Sequence, residues 1–548
     1  MKKILNFPNK IFILSFFSIS FFVCAISAQP QLPQGNRPMV MPINHRAIKE
    51  YLSLYPGIKP VLNYDELRRI NIPNTTIVSV EEDQSGNFCM VTSIFNLPPS
   101  SNQITIWTAL PLNNWNGRFM GTGGGGFSGG NSRTTLDPAT KGFAAGATNA
   151  GHNQNNGSFG FDATNHRLNW QSIQDFAYNG IHAMTVVSKA LVEAFYGKPA
   201  MYSYFVGEST GGRQGLMAAQ RFPDDYNGIY SGCPAINWER FIPGELWPQI
   251  VMHQENNYVS SEKLNAVTQY VIEVSDGLDG IVDGVIDNPF ICKWDPSMFV
   301  GTMVNGSEFT EKDALVVRKI WEGPYSVNGT QLWYGLTKGT NLAGLAGTRG
   351  SPLTGSPFPI ALDWFRYYLT FNPNLTVADL NYIDYELLFN QSTQMYVDVI
   401  GTSNPDLTSF KKHGGKIIIT HGLADNLIAP QGTIHYYEQL QRFMGGYDNT
   451  KDFARLFLFP GLDHGFRGNA PIPTNVIDAI IQWVEQGKAP DSFLGELHDT
   501  LGNVVRTRPI FAYPYTARYT GTGSINDASN YRSTLEDADS YLQILIGK

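Results

Sequence analysis

The chain has 548 residues, with 47 acidic against 39 basic side chains and a formal charge of −8. It is too long for one compact core and too acidic to bind nucleic acid by neutralising phosphates or to gain from an anionic membrane surface. With 54 glycines and 13% aromatics it reads as a loop-rich globular protein and not as a helical array.

Residues 1–28 read as an export signal, with Lys2, Lys3 and Lys10 before an apolar run over 11–25 that ends in Ala25-Ile26-Ser27-Ala28. The apolar run is too short to span a bilayer, so the mature protein is expected to be periplasmic or secreted. Cys89, Cys233 and Cys292 remain after processing, an odd number for an exported chain. No disulfide is needed for stability at this size. A polar, proline-rich lead over 29–42 gives way to strand-like runs within 76–111, where Ile104, Ile106 and Thr108 alternate with Thr105, Trp107 and Ala109. Residues 118–130 (RFMGTGGGGFSGG) carry a glycine run, and 142–152 read as a short buried strand. Phe176, Ile181, Met184, Val187, Leu191 and Phe195 fall near helical spacing and predict a helix over 170–196.

Residues 202–214 read YSYFVGESTGGRQ. An aromatic and β-branched run stops at Gly207-Glu208-Ser209-Thr210-Gly211, and an amphipathic stretch with Leu216, Met217 and Phe222 follows. Strand, Gly-x-Ser-x-Gly turn and helix make a nucleophile elbow, which exposes the serine hydroxyl at the top of a sheet. A further strand is expected over 227–233. Between 237 and 409 the strand–helix alternation is lost. It resumes with a strand at 416–421 (KIIITH), a helix at 430–443 with proline in its first turn, a strand at 454–459 and a helix at 474–486. This pattern predicts an α/β-hydrolase core with a mostly parallel sheet. The core is expected in two parts, 29–236 and 410–548, with a large domain inserted over 237–409.

A serine hydroxyl needs a base within hydrogen-bond reach, and the base needs an orienting group. His464 sits in a loop after the strand 454–459, where such sheets collect reactive groups. Asp425 ends the strand that begins with KIIIT. His421, His413 and His152 are weaker candidates for the base, and Asp463 is too close in sequence to His464 to orient it. Two backbone N–H donors must face the developing oxyanion; Thr210 supplies one, and the run Gly123–Gly126 is the candidate for the other. Asp276, Asp279, Asp283 and Asp287, interleaved with glycines, suit either a hard cation or a metal-free turn.

Together these stretches resemble the tannase and feruloyl esterase family, which includes the terephthalate-monoester hydrolase of plastic-degrading bacteria. The matching segments are WNGRF with its glycine run, FVGESTGGRQGL, QRFPDDYNGI, DGLDGIVDGVIDNP, GGKIIITHGLAD, FARLFLFPGLDHG and RTRPIFAYPYTARYTGTGSIN. The resemblance implies an exported serine esterase that works through an acyl-enzyme, with Ser209 as nucleophile, His464 as base and Asp425 as orienter. It places the oxyanion donors on the N–H groups of Gly126 and Thr210. It also implies that the inserted domain over 237–409 is a lid that closes over the acyl pocket of the α/β-hydrolase core, with a structural Ca2+ in the lid held by the side chains of Asp276, Asp279, Asp283 and Asp287 and the carbonyls of Ile281 and Val285. The implied substrates are hydroxycinnamate (feruloyl), gallate or related aromatic-acid esters, taken as small esters or as feruloylated plant cell-wall oligosaccharides.

Many members of the family pair a cysteine before the serine with one after the histidine. Here Glu208 and Gly465 stand there, and Ser275 stands where Cys292 would find its partner. In the lid, Trp333, Trp364, Phe365, Tyr367 and Tyr368 are candidates for stacking, each more readily placed in the lid core, and Arg366 is a candidate to meet a substrate carboxylate. Two alternatives remain at this stage: a carboxylesterase of broad specificity, and a non-catalytic carbohydrate-binding or scaffold protein on a hydrolase fold.

Overall fold

The computed structural model describes residues 51–535, and the export signal read in residues 1–28 lies outside them. Nine strands form the central sheet: β1 (Thr75–Glu82), β2 (Phe88–Phe95), β3 (Ile104–Pro111), β4 (Arg118–Thr122), β5 (Ala144–Thr148), β6 (Tyr202–Glu208), β7 (Gly228–Gly232), β8 (Lys416–Gly422) and β9 (Ala454–Phe459). Their order is β1-β2-β3-β5-β4-β6-β7-β8-β9. From β5 to β9 every neighbouring pair is parallel, while β1, β2, β3 and β5 pair antiparallel. The mostly parallel α/β sheet expected from the sequence is therefore present, with an antiparallel edge.

The β-branched run of β8 divides between the two faces by its period of two. Ile417 and Ile419 join Phe205 and Leu216 in one core, together with residues of α1 (Gly180–Tyr196), α2 (Thr210–Arg221) and the later helix Pro430–Phe443. Ile418 joins Tyr204 and Phe457 in the other core, under the helix Val476–Gln486. Continuous burial of β8 follows from these two covered faces.

Between β7 and β8 the chain contributes no strand to the central sheet. It folds instead into helices, among them α3 (Trp238–Gln254), α4 (Ser261–Ser275) and α5 (Tyr382–Tyr396). They build a third core around Trp238, Trp247, Trp364 and Phe365 that also takes in Phe127, Phe159 and Phe176. The helices named above as Pro430–Phe443 and Val476–Gln486 are α6 and α7. After α7 the chain turns to antiparallel pairs: β10 (Ser492–His498) with β11 (Val504–Phe511), and β12 (Tyr515–Tyr519) with β13 (Tyr531–Leu535).

The helix predicted over 170–196 is interrupted. A short α-turn Trp170–Gln174 runs into a π-turn Asp175–Asn179 before α1 begins. Its cause lies in another element: Arg213 of α2, wholly buried, donates to the carbonyls of Ala177 (2.8 Å) and Phe176 (3.1 Å). A guanidinium that captures two helix carbonyls displaces the regular ladder, as π-bulges do.

Candidate active site

At the end of β6 the backbone reverses through Ser209, which sits at φ 56° and ψ −123°. A non-glycine residue held there stores strain of the kind found at functional sites. The flanking glycines make the turn possible, since a Cβ on Gly207 would lie 2.4 Å from the Gly211 carbonyl carbon. Ser209 is pinned by its own N–H, which donates to the Gly232 carbonyl at the end of β7 (2.9 Å).

The serine hydroxyl lies 3.0 Å from Nε2 of His464, and Nδ1 of that ring lies 2.8 Å from Oδ2 of Asp425. Three residues distant in sequence, at the ends of β6, β8 and β9, thus form one hydrogen-bonded chain. Asp425 is fully buried and held from several sides: its Oδ1 accepts from the N–H groups of Leu427 (2.9 Å) and Ile428 (2.8 Å). His421 brings a second ring to Oδ2 at 3.1 Å and is itself fixed by Thr433 at 2.9 Å. Burial alone would raise the Asp425 carboxyl, but His464 and His421 outweigh it and hold the group well below the carboxylate range. Burial works against a charged His464 ring, yet the Asp425 carboxylate prevails and pushes its pKa well up. Asp463 points elsewhere and accepts from Gly465 (2.8 Å) and Arg467 (2.9 Å) within its own loop.

The glycine run packs directly on the N-terminus of α2. Gly211 donates to the Gly124 carbonyl (3.0 Å), and the Thr210 hydroxyl donates to the Gly126 carbonyl (2.6 Å). Gln214 locks the loop by accepting from Gly124 (2.9 Å) and donating to Gly129 (3.1 Å). The Thr210 N–H belongs to a first helical turn, which has no intrahelical acceptor for it. The Gly126 backbone stands next to it in the left-handed region at φ 56°. Both expected oxyanion donors are therefore adjacent to each other and to Ser209.

Glu208 replaces the expected cysteine and lies against Tyr230, whose hydroxyl donates to it at 3.4 Å, and against Gly232. Burial pushes its pKa up to about 7, with His464 and the Tyr230 hydroxyl pulling the other way. The three described cysteines are free and buried. The Ser275 hydroxyl meets the Cys292 sulfur at 3.0 Å, so a hydrogen bond stands where the family resemblance implied a disulfide. Cys233, one residue beyond β7, donates its thiol to the His464 carbonyl at 3.4 Å. Sequence reasoning did not single this residue out, because its approach to His464 is set by the order of the strands and not by its local sequence.

A model of the tannase and feruloyl esterase family matches residues 89–534. The chain belongs to this family. It is 38% identical over 441 residues to a probable feruloyl esterase of Arthroderma benhamiae, covering 78% of this chain and 82% of that protein. The solved feruloyl esterase B from Aspergillus oryzae is 29% identical, with a TM-score of 0.74 over 85% of this chain and 98% of the other. The tannin acyl hydrolase from Aspergillus niger, at 21% identity and a TM-score of 0.79 over 88% and 97%, shares the fold. Membership makes this family protein a carboxylic ester hydrolase.

In the segment before β8, Trp364, Phe365 and Tyr368 take the core placement favoured for them, whereas Arg366 does not take the role for which it was a candidate. Trp364, Phe365 and Tyr368 are buried in the third core, with Trp364 and Tyr368 stacked at 4.4 Å, so they pack and do not line an open pocket. Arg366 donates to the Leu375 carbonyl (2.9 Å) and pairs with Asp363 (3.7 Å), which commits its guanidinium within the protein. Trp333 lies against Gly432 and Gly244 and, with Glu245 of α3, borders a small cavity of about 20 Å³.

The Asp-Gly segment follows α4. Buried Asp276 accepts from the N–H groups of Asp283 (3.0 Å), Gly284 (2.7 Å) and Val285 (3.3 Å), which curls the loop around its carboxylate. Asp283 and Asp287 both face Arg508, and the Asp279 and Asp287 carboxyls are hydrogen-bonded to each other. Among the described residues these carboxylates do not close into a tight cluster of three; the one such cluster is Cys233, Asp425 and His464. The donor set is nonetheless all oxygen, and two carboxyls in contact require a proton or a cation between them. That chemistry fits a hard divalent ion.

Proposed function

We propose that this protein is an exported serine esterase that cleaves esters of aromatic acids through an acyl-enzyme. The observation that carries the reading is the chain Ser209–His464–Asp425, at 3.0 and 2.8 Å. His464 takes the proton of Ser209 as its oxygen attacks the ester carbonyl, and Asp425 stabilises the imidazolium that results. The N–H groups of Gly126 and Thr210 receive the oxyanion. The imidazolium returns its proton to the departing alcohol, and the same ring then activates the water that frees the acid.

An aromatic acyl group is supported by the names of the relatives. Phe127, next to Gly126, is buried 5.7 Å from Trp238 and 6.0 Å from Tyr368, ring centre to ring centre, and anchors the glycine run to the third core. Ile360 reaches the space beside Gly126, 2.9 Å from where a Cβ there would sit. Feruloyl and galloyl esters, free or on cell-wall oligosaccharides, are the substrate class. Export is supported by the sequence of residues 1–28. Among the described residues no helix is long and apolar enough to cross a membrane.

A structural Ca2+ would be held by Asp276, Asp279, Asp283 and Asp287 with the carbonyls of Ile281 and Val285, and would neutralise the loop's carboxylates without entering the reaction. The test of the reading is Ser209→Ala. It is expected to abolish hydrolysis of methyl ferulate and of fluorophosphonate labelling while the circular dichroism and melting curve stay those of the wild type. Near-wild-type turnover by this variant refutes the nucleophile. A wild-type preference for acetate over ferulate esters refutes the aromatic acyl group.

A further inference from the structure

The Cys233 sulfur, an Asp425 carboxylate oxygen and a His464 ring nitrogen lie within 4.8 Å of one another, all three residues buried. We propose that this trio is an inhibitory binding site for a thiophilic divalent cation such as Zn2+, seated on the Asp425 side of the His464 ring. The ring nitrogen that faces Asp425 is Nδ1, at 2.8 Å from Oδ2.

The donor set decides the class of ion. One thiolate, one imidazole and one carboxylate make a three-ligand zinc site with an open fourth position, whereas Ca2+ and Mg2+ take six or more oxygens. Bond lengths of roughly 2.0–2.3 Å separate neighbouring ligand atoms by about 3.5 Å, so the 2.8 Å pair of Nδ1 and Oδ2 opens by about 0.7 Å while the sulfur, within 4.8 Å of both, closes by up to about an ångström. Charge is balanced as well. A thiolate and a carboxylate neutralise the two positive charges, which a buried ion requires.

Each step conserves protons and oxidation state. The Cys233 S–H bond breaks and its proton leaves to solvent; sulfur, Nδ1 and a carboxylate oxygen each donate a pair to the metal, which stays divalent. The proton that Nδ1 shared with Asp425 moves to Nε2. That nitrogen then donates to the Ser209 hydroxyl and has no lone pair with which to accept its proton. The metal thus removes the base and its orienting carboxylate together. Ser209, on the far side of the ring, is partly exposed, which gives an ion its approach from solvent. Cys233 is held in place meanwhile, because its N–H donates to the Thr420 carbonyl of β8 at 2.7 Å.

The experiment titrates Zn2+ against ester hydrolysis at fixed, saturating Ca2+, for wild type, Cys233→Ala and Cys233→Ser, each referred to its own metal-free rate. Wild type is expected to lose activity and to recover it with calcium-loaded EDTA. Loss of the soft ligand is expected to raise the inhibitory concentration about tenfold or more. Co2+ gives a readout independent of turnover: the wild-type complex is expected to show thiolate-to-cobalt charge-transfer absorption in the near ultraviolet, and both variants to lack it. If Cys233→Ala does not fold, Cys233→Ser carries the comparison. Equal Zn2+ sensitivity in wild type and variant, or a cobalt complex without the thiolate band, overturns the site.

Discussion

Glu208 is the residue at which this chain departs most informatively from the cysteine pattern that the family resemblance implies. Its carboxyl sits between Tyr230 and Gly232 beside the nucleophile, with a pKa raised by burial to about 7. In the unfolded chain the same group titrates near 4.5. Between those two values the native state keeps a proton that the unfolded state has lost, so stability falls as pH rises through this window and levels off above it. Glu208→Gln has no proton to lose. Its melting temperature relative to wild type is therefore expected to climb from pH 5 to pH 8, followed by calorimetry; a difference that stays constant with pH removes the buried carboxyl from the account. The sequence named Glu208 because the elbow motif fixes its position to the residue. Cys233 was not legible in the same way. Its closeness to His464 depends on β7 and β8 lying side by side, and nothing local in SGCPA announces that pairing.

At the scale of elements, the joint between β6 and α2 carries the site. Strand and helix meet at so close a distance that glycine is required at Gly207 and on the facing loop, where a Cβ on Gly123 would lie 2.4 Å from the Gly211 Cα. Those contacts are backbone on backbone, so no side chain can rotate away. Gly207→Ala is expected to cost roughly 1–3 kcal/mol, in the range of overpacking, and to lower kcat more than KM, because it displaces the Ser209 hydroxyl from His464. Urea unfolding and steady-state kinetics together check this; a variant with wild-type midpoint and kcat contradicts it. The joint was readable because its turn chemistry is local. The same holds for the strand Ala454–Phe459 and the helix Pro430–Phe443, which begin and end where composition and proline place them. The π-turn before α1 was not readable, since Arg213 imposes it from α2, and the C-terminal hairpins lack the clean alternation that marks a half-buried strand.

For the molecule as a whole, the Asp-Gly loop is the tie between the α4 end of the inserted segment and the C-terminal strands. Arg508 of β11 donates to Asp283 and Asp287, Arg506 donates to the Asp283 carbonyl at 3.1 Å, and Arg518 of β12 donates to the Asp279 carbonyl at 3.0 Å. An ion in this loop would bind the native arrangement and not the unfolded chain, so it raises stability by mass action, by about 2.7 kcal/mol at a hundredfold excess over Kd. Because Arg508 and Arg506 pair with the same carboxylates and Arg518 holds a carbonyl of the same loop, its removal is expected to act first where β11 and β12 dock. Chelation should therefore lower the melting temperature and, below that temperature, open the C-terminal strands to protease while the central sheet stays resistant. Asp276→Ala should show the low melting temperature without chelator and no response to added Ca2+, with metal content read by plasma emission on the purified protein. Identical melting and proteolysis with Ca2+ and with chelator would leave Arg506, Arg508 and Arg518 as the cations that hold the loop, and the calcium assignment would be wrong.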